Sequence, residues 1–448
     1  MSDLSISILN VENISCFLDK LKEYEQKLSN IKTDELFNIT IHFDVMDNVF
    51  VPNTGIDIEK IKIVKDNGFY VDTHLMVAKP VEDGYIDKAI ENGCRDITIH
   101  YEIENFEYAL NYLIDKKNEL NGDLKIGVSI KPKTEISCLE KYIEKIDKVL
   151  IMSVEPGFGG QKYIDSVTKK VEELNTKYKN KYIQIDGGIN DETIIYPIRN
   201  NINSIVVGSY LTKSIDDLFD KICILNIIKQ IEKLPKEADI NFETKILNTP
   251  NILLGIKVPT LRKLTKVWYN IISQKALSYF IKSNIHDYRR FAVFCLAYCV
   301  NKDKKENIKA FIDEHIKYLN SWDLVDACAP ICIGKQLINE SEDKIYNILR
   351  IYTKSDNIFI KRVGIVSLLY LAKENRYKAI FKVIDDVFYD EYHLIQKANG
   401  WVLRELYKVN SKEVLKYLVN KNKIKKIPSI LKSYAIEKMN IDEKQMLK

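Results

Sequence analysis

Up to about residue 215, short runs rich in Val and Ile alternate with longer stretches whose apolar residues recur every three or four positions. The short runs Ser5–Leu9, Ile39–Asp44, Tyr70–Leu75, Asp96–His100, Lys125–Ile130, Lys148–Ser153, Tyr182–Asp186 and Ser204–Val207 read as strands. Amphipathic patterns such as Tyr85–Asn92 and Ser166–Lys177 read as helices between them. Eight strands in βα alternation over this length predict an α/β fold, a closed parallel TIM (β/α)8 barrel rather than an open sheet. In such a barrel the chemistry sits at the C-terminal strand ends.

Beyond about residue 220 the β-rich runs fade and helical periodicity continues to the end. Pro259–Ser273, Tyr288–Val300, Asn307–Leu319, Trp322–Leu337, Glu342–Tyr352, Ile358–Lys373, Tyr392–Tyr407 and Ser411–Leu418 read as helices joined by short polar turns. Their number and brief connections predict an all-α solenoid of stacked antiparallel pairs, although no clean sequence repeat marks it. The expected domains are a barrel over 1–220 and a helical domain over 221–448, with a surface joint near Leu234-Pro235-Lys236-Glu237.

Composition changes this picture little. A chain of 448 residues with 46% apolar side chains can fill two cores. A formal net charge of +4 excludes a polycation, so any nucleic-acid surface is a local patch. The opening MSDLSISILN lacks a basic segment followed by a long apolar one, and no stretch reaches the roughly 18 uncharged apolar residues of a spanning helix. A cytoplasmic protein that does not engage membranes is expected. Eight cysteines without CxxC pairs fit reduced thiols. Cys295/Cys299 and Cys328/Cys332 are each spaced to share a helical face, which leaves a four-thiolate zinc site open beside the commoner reading as small buried hydrophobes.

The stretch HFDVMDNVFVPN, residues 42–53, places His42 and Asp44 on one face of a strand, and a charge facing the interior needs a partner or a metal. His74 closes the third strand and Asp186 the seventh, so two imidazoles and two carboxylates fall at one rim. That donor set suits zinc, iron or manganese without selecting among them. Gly157-Phe158-Gly159-Gly160, Gly187-Gly188 and Gly208-Ser209 follow the last three strands, where barrel loops bind phosphate through backbone N–H groups. Metal, paired carboxylates and a phosphate pocket together point to proton abstraction beside the carbonyl of a sugar phosphate. With Asp44 and Asp186 on different strands, one would remove a proton and the other return it to the opposite face, which is an epimerisation.

These stretches, with VDTHLMV, VLIMSVEPGFGGQKYI, IQIDGGI, IVVGSYL and the opening SIL, resemble the ribulose-phosphate 3-epimerase family over nearly all of residues 1–215. The resemblance implies His42, Asp44, His74 and Asp186 as ligands of one divalent metal ion, Zn, Fe, Mn or Co, with Asp44 and Asp186 doubling as the acid/base pair. It further implies Ser7 as a substrate contact, Gly157, Phe158, Gly159, Gly160, Gly187, Gly188, Gly208 and Ser209 around the phosphate, and Met46, Met76 and Met152 lining the site. Asn48 replaces the family's usual glycine, Asn10 its usual serine, and Lys131 a common asparagine. An allulose-6-phosphate 3-epimerase remains an alternative for the same site, and a homo-oligomer through the barrel remains open.

In the helical half Trp322 and Asp326 are four apart, hence on one helical face. A tryptophan among helices is more often core, yet a carboxylate beside an electron-rich ring would hold a cationic base or stabilise an oxocarbenium ion. The stretches LLGIKVPTLRKLTK, SNIHDYRRFAVFCLAY, NSWDLVDACAPICIG, FIKRVGIVSLL and QKANGWVLREL, over about residues 225–420, resemble bacterial DNA alkylation repair glycosylases built from HEAT-like repeats. That resemblance implies double-stranded DNA as partner, Trp322, Asp326 and Trp401 around the damaged nucleotide with Trp322 and Asp326 catalytic, and Arg362 on the DNA backbone. Asn399 stands where the family is usually apolar. A half that only binds DNA, or serves as a scaffold, is the alternative.

Overall fold

Eight parallel strands pair in sequence order and close into a barrel: β1 (Asp3–Ser7), β2 (Asn38–Met46), β3 (Val71–Met76), β4 (Asp96–His100), β5 (Lys125–Ile130), β6 (Lys148–Met152), β7 (Tyr182–Asp186) and β8 (Ser204–Val207), with β8 returning to β1. The computed structural model describes all residues except 1, 30, 32, 34, 303–306 and 448, and divides into two units, 1–233 and 234–448. The helix Leu218–Lys233 thus stays with the barrel.

Register sets Ser7 opposite His42, Asp44 opposite His74, Met46 opposite Met76 and Met152 opposite Asp186. Strand side chains alternate, so residues in this phase face the barrel axis. The outward phase is apolar and buried, as at Ile6, Ile41, Phe43, Leu75, Val149 and Ile185, and this layer is what the Val- and Ile-rich runs encode. The axial phase is polar: Ser5, His42, Asp72, Thr98, Lys148, Gln184 and Ser204 are all buried. At Gly127 a Cβ would lie 2.3 Å from Thr98 Oγ1 and 2.9 Å from the Lys148 side chain, so glycine leaves room for Lys148 inside the barrel. β1 ends at Ser7 rather than Leu9, because the chain turns at Leu9 and Asn10 once Ser7 has paired with His42.

In the second unit the helix His286–Asn301 packs on Val258–Trp268, Gln274–Lys282 and Trp322–Ala329. The row continues through Ile358–Val366, His393–Tyr407 and Ser429–Ala435, each against the next, a stacked all-α arrangement. All three tryptophans, Trp268, Trp322 and Trp401, belong to this unit. Two expected long helices are broken. Trp322–Leu337 is α-helical only to Ala329, because Pro330 has no N–H for the Asp326 carbonyl; a π-helical turn, Pro330–Gly334, follows. Ile358–Lys373 is interrupted at Ser367, whose hydroxyl donates to the Val363 carbonyl at 2.7 Å. Among the described residues, no helix is long and apolar enough to cross a membrane.

Candidate active site at the barrel mouth

β2 carries His42 and Asp44, β3 sets His74 beside Asp44, and β7 ends on Asp186. One donor atom from each of the four lies within 4.8 Å of every other. His42 Nε2 is 3.4 Å from Asp44 Oδ1 and 3.8 Å from Asp186 Oδ2, and His74 Nδ1 is 3.5 and 3.9 Å from the same two oxygens. Both ring nitrogens are buried without a hydrogen-bond partner. Two orphaned nitrogens converging with two carboxylates form a donor set that a divalent cation would satisfy.

The two carboxylates are electrostatically unlike. Burial pushes Asp44 up, but the charge of His42 outweighs it and holds the carboxyl well below its ordinary value. Ser7 Oγ also donates to Asp44 Oδ2 at 2.6 Å. Burial pushes Asp186 up to about 7 against the pull of His42, with the charges of Asp44 and Asp72 adding to the rise. Burial alone would depress His42, yet Asp44 and Asp72 raise it well above the usual imidazole value; burial takes His74 down to about 4.

Behind the cluster stand residues that the sequence reading missed. Asp72 accepts from His42 Nδ1 at 2.8 Å and also from Lys148 and Gln184. Lys148 Nζ lies 2.6 Å from Asp96 Oδ1 as well. His74 Nε2 is 2.9 Å from His100 Nε2, and His100 Nδ1 is 3.0 Å from Glu102 Oε2. The two-residue spacing that exposed His42 and Asp44 recurs in Asp72/His74 and His100/Glu102, and that spacing is the signal that could have found them.

A cavity of about 710 Å³ opens at this cluster. Ser7, Asp44, Asp186, Met46, Met76 and Met152 line it, as do Gly157, Phe158, Gly159, Gly160, Gly187, Gly188, Gly208 and Ser209; His42 and His74 are fully buried outside its lining. Gly188 has φ +67°, and a Cβ there would meet Tyr163 N at 2.3 Å, so the loop tolerates no side chain. Asn48 has φ +57°, a left-handed conformation that asparagine tolerates better than most residues, which accounts for its standing in for glycine. The same loop is tied to the glycine-rich one by Asn53 Nδ2 donating to the Gly157 carbonyl at 2.6 Å.

In the helical unit Arg362 clasps Asp326 through two hydrogen bonds of 2.8 Å, and its Nη1 donates to the Leu394 carbonyl at 2.6 Å. Arg362 was expected on a DNA backbone; it is 5% exposed, with its guanidinium committed to Asp326 and Leu394. It thereby joins the helix of Trp322 and Asp326 to the start of the helix bearing Trp401. Trp322 is half-buried, its indole N–H donating to the Ile246 carbonyl at 2.9 Å, and Trp401 is half-buried too. Burial raises the Asp326 carboxyl, and Arg362 opposes the rise. Asn399 is buried, with Nδ2 donating to the Val387 carbonyl at 2.9 Å. The four-thiolate zinc site does not form: among the described residues only His42, Asp44, His74 and Asp186 bring three or more such donors together. Cys295, Cys299, Cys328 and Cys332 are fully buried, and burial pushes the Cys328 thiol up to about 12 and Cys332 well above its ordinary value, so these act as small hydrophobes.

Charge is divided between the units. Residues 234–448 hold 38 Lys and Arg against 24 Asp and Glu, a formal +14, and residues 1–233 hold 29 against 39, a formal −10. The modest whole-chain charge is the difference of two large and opposite ones.

Comparison with known proteins divides the chain in the same way. A family model described as "Ribulose-phosphate 3 epimerase family" matches residues 14–212, and one described as "DNA alkylation repair enzyme" matches residues 227–439. Ribulose-phosphate 3-epimerase of Eremothecium gossypii is 33% identical over 189 residues, covering 39% of this chain and 76% of its own. That of Bacillus subtilis is 36% identical over 177 residues, covering 38% and 77%. A solved structure described as a predicted DNA alkylation repair enzyme from Enterococcus faecalis aligns with 47% of this chain and 100% of its own, at 19% identity and a TM-score of 0.39.

Proposed function

The first half of this chain belongs to the ribulose-phosphate 3-epimerase family, and from that premise we propose that it interconverts D-ribulose 5-phosphate and D-xylulose 5-phosphate. The observation that carries the mechanism is the pair of orphaned nitrogens, His42 Nε2 and His74 Nδ1, converging with Asp44 and Asp186 at one end of the cavity. A divalent ion held by these four would polarise the C2 carbonyl and offset the charge of the ene-diolate. Asp44, kept ionised by its neighbours, takes the proton from C3. Asp186, kept near neutrality, returns its own proton to the opposite face of C3. One C–H bond breaks, one forms, and the two carboxyls exchange protonation states; the reverse reaction exchanges their roles. Backbone N–H groups of the Gly157–Gly160, Gly187–Gly188 and Gly208–Ser209 loops hold the phosphate, and Met46, Met76 and Met152 keep water from the reacting carbons.

Asp44→Asn or Asp186→Asn should each abolish epimerisation, and Asp44→Asn should also abolish solvent-deuterium incorporation at C3 of ribulose 5-phosphate. Turnover retained by either variant overturns the mechanism, and faster turnover of allulose 6-phosphate than of ribulose 5-phosphate reassigns the substrate.

For the helical half we propose capture of alkylated double-stranded DNA, with Trp322 and Trp401 at the damaged nucleotide and Asp326 stabilising the cationic sugar as the base departs. The family match over 227–439, the formal +14 and the Asp326–Arg362 ion pair support this reading. Arg362 here orients Asp326. Release of 3-methyladenine or 7-methylguanine from alkylated DNA, lost in Asp326→Asn, is the expected result; salt-sensitive binding without release would reduce this half to a DNA-binding module.

A further inference from the structure

We propose that His100 and Glu102 are positioning residues, an outer relay that fixes His74 in the tautomer presenting a bare Nδ1 to the Asp44/Asp186 cluster. The catalytic consequence rests on the epimerase reading above; the tautomer assignment does not. His74 Nε2 and His100 Nε2 are 2.9 Å apart, so one proton must lie between them. If His74 donates that proton, His100 accepts at Nε2, carries its own proton on Nδ1 and gives it to Glu102 Oε2 at 3.0 Å. Every contact then has one donor and one acceptor.

The alternatives fail on geometry. A proton on His74 Nδ1 would be a buried donor whose nearest carboxylate oxygen, Asp44 Oδ1, is 3.5 Å away, and Nδ1 has no hydrogen-bond partner. A neutral His100 protonated at Nε2 would set a bare Nδ1 against the Glu102 carboxylate at 3.0 Å, lone pair to lone pair.

Glu102 cannot turn away to relieve such a clash. Its Oε1 accepts from the Lys131 N–H at 2.7 Å and from Thr134 Oγ1 at 2.5 Å, so both oxygens are engaged. Phe50, in the loop after β2, packs its ring 4.7 Å from that of His100, and the Lys131 ammonium lies 4.2 Å from the centre of the Phe50 ring. His42 reaches its own carboxylate, Asp72, directly, whereas His74 reaches one only through a second imidazole. The orientation of His74 is thus tied to the loop after β5, which gives Lys131 a role through its backbone N–H and through its charge.

The test compares two substitutions at one position in the full-length protein. His100→Phe keeps an aromatic ring beside Phe50 but offers no acceptor to His74; His100→Gln gives up the ring but keeps an acceptor oxygen. With chelator competition reporting Co2+ and Zn2+ affinity, His100→Phe should weaken binding about 10- to 100-fold and shift the Co2+ visible bands, while His100→Gln restores both. A tight-binding His100→Phe with a weakened His100→Gln would mean that the ring merely packs, and would overturn the relay. Should either variant fail to fold, nitrogen-15 shifts of the six histidines in the wild-type protein decide the matter. A proton on Nε2 of His74 and on Nδ1 of His100 is expected, and the reverse assignment refutes the relay. A wild type that binds Co2+ through His74 but leaves ribulose 5-phosphate unchanged would overturn the epimerase reading while leaving the relay standing.

Discussion

Lys148 is the cation between two carboxylates inside the barrel. Its side chain is 2% exposed, and those of Asp72 and Asp96 are 4% and 6% exposed. Lys148→Met keeps the length of the side chain and removes the charge. Asp72 would retain His42 Nδ1 and Gln184, and Asp96 would retain the Tyr70 hydroxyl at 3.1 Å and the charge of Lys125, but both would lose the ammonium that bridges them. Removing one partner of a buried ion pair costs about 3–5 kcal/mol. At about 1.4 kcal/mol per decade, amides in β3, β4 and β6 that exchange only when the barrel opens should exchange roughly 10²- to several 10³-fold faster. Hydrogen exchange read by mass spectrometry on peptides spanning those strands measures this at neutral pH. The pH dependence gives a second check. Burial pushes Asp72 up, but Lys148 and His42 outweigh it and hold its folded-state value below the unfolded one, so its contribution is complete above the ordinary carboxylate range and lost as pH falls through the folded value. In the variant that depression weakens and Asp96, already raised by burial, rises further, so the deficit is full at neutral pH and narrows on acidification. The urea midpoints of the two proteins, read by far-ultraviolet circular dichroism, should therefore draw together only as pH falls below the ordinary carboxylate range, toward the depressed folded-state value of Asp72. An acceleration under about fivefold, or a deficit that persists in acid, would show that Lys148 contributes through packing alone.

Metal affinity should rise with pH through about 7, where Asp186 loses its proton, and keep rising beyond as His42 loses its own; a flat chelator-competition profile between pH 5.5 and 8 contradicts the assigned donors. Gly188→Ala forces a Cβ to within 2.3 Å of Tyr163 N, and the displaced loop should lower kcat/KM for ribulose 5-phosphate about 10²-fold, mostly through KM; an unchanged KM removes this loop from the phosphate site. Arg362→Met leaves the half-buried Asp326 carboxylate without its cation and should destabilise the helical unit by about 1–3 kcal/mol, read from its denaturation midpoint; wild-type stability would mean that water replaces the guanidinium there. Affinity for duplex DNA should fall steeply between about 50 and 200 mM salt, and a shallow slope argues against a phosphate-tracking surface.

The barrel is legible because its strands bury an outer apolar layer, which writes Val and Ile into short runs that periodicity detects. His42, Asp44, His74 and Asp186 stand out because they are titratable groups at strand ends. Asp72, Lys148 and Gln184 sit deeper in the barrel, where an isolated polar residue beside an apolar run reads as noise until the register shows that all face one axis. Arg362 illustrates a different limit. Its spacing marks it as a basic residue in an apolar helix, but whether such a side chain reaches outward or folds back onto a carboxylate depends on how helices 36 residues apart in sequence come together. The breaks at Pro330 and Ser367 were legible as residue types, yet helical periodicity runs straight through both.

The confinement of Trp268, Trp322 and Trp401 to residues 234–448 has a spectroscopic consequence. Indole emission from this chain is blind to the barrel, which carries only tyrosine and phenylalanine as fluorophores. Excitation at the red edge of the absorption band therefore isolates the helical half within the intact protein. Two of those three indoles belong to the proposed lesion site, so a bound DNA duplex would be reported by quenching of an emission to which no barrel residue contributes.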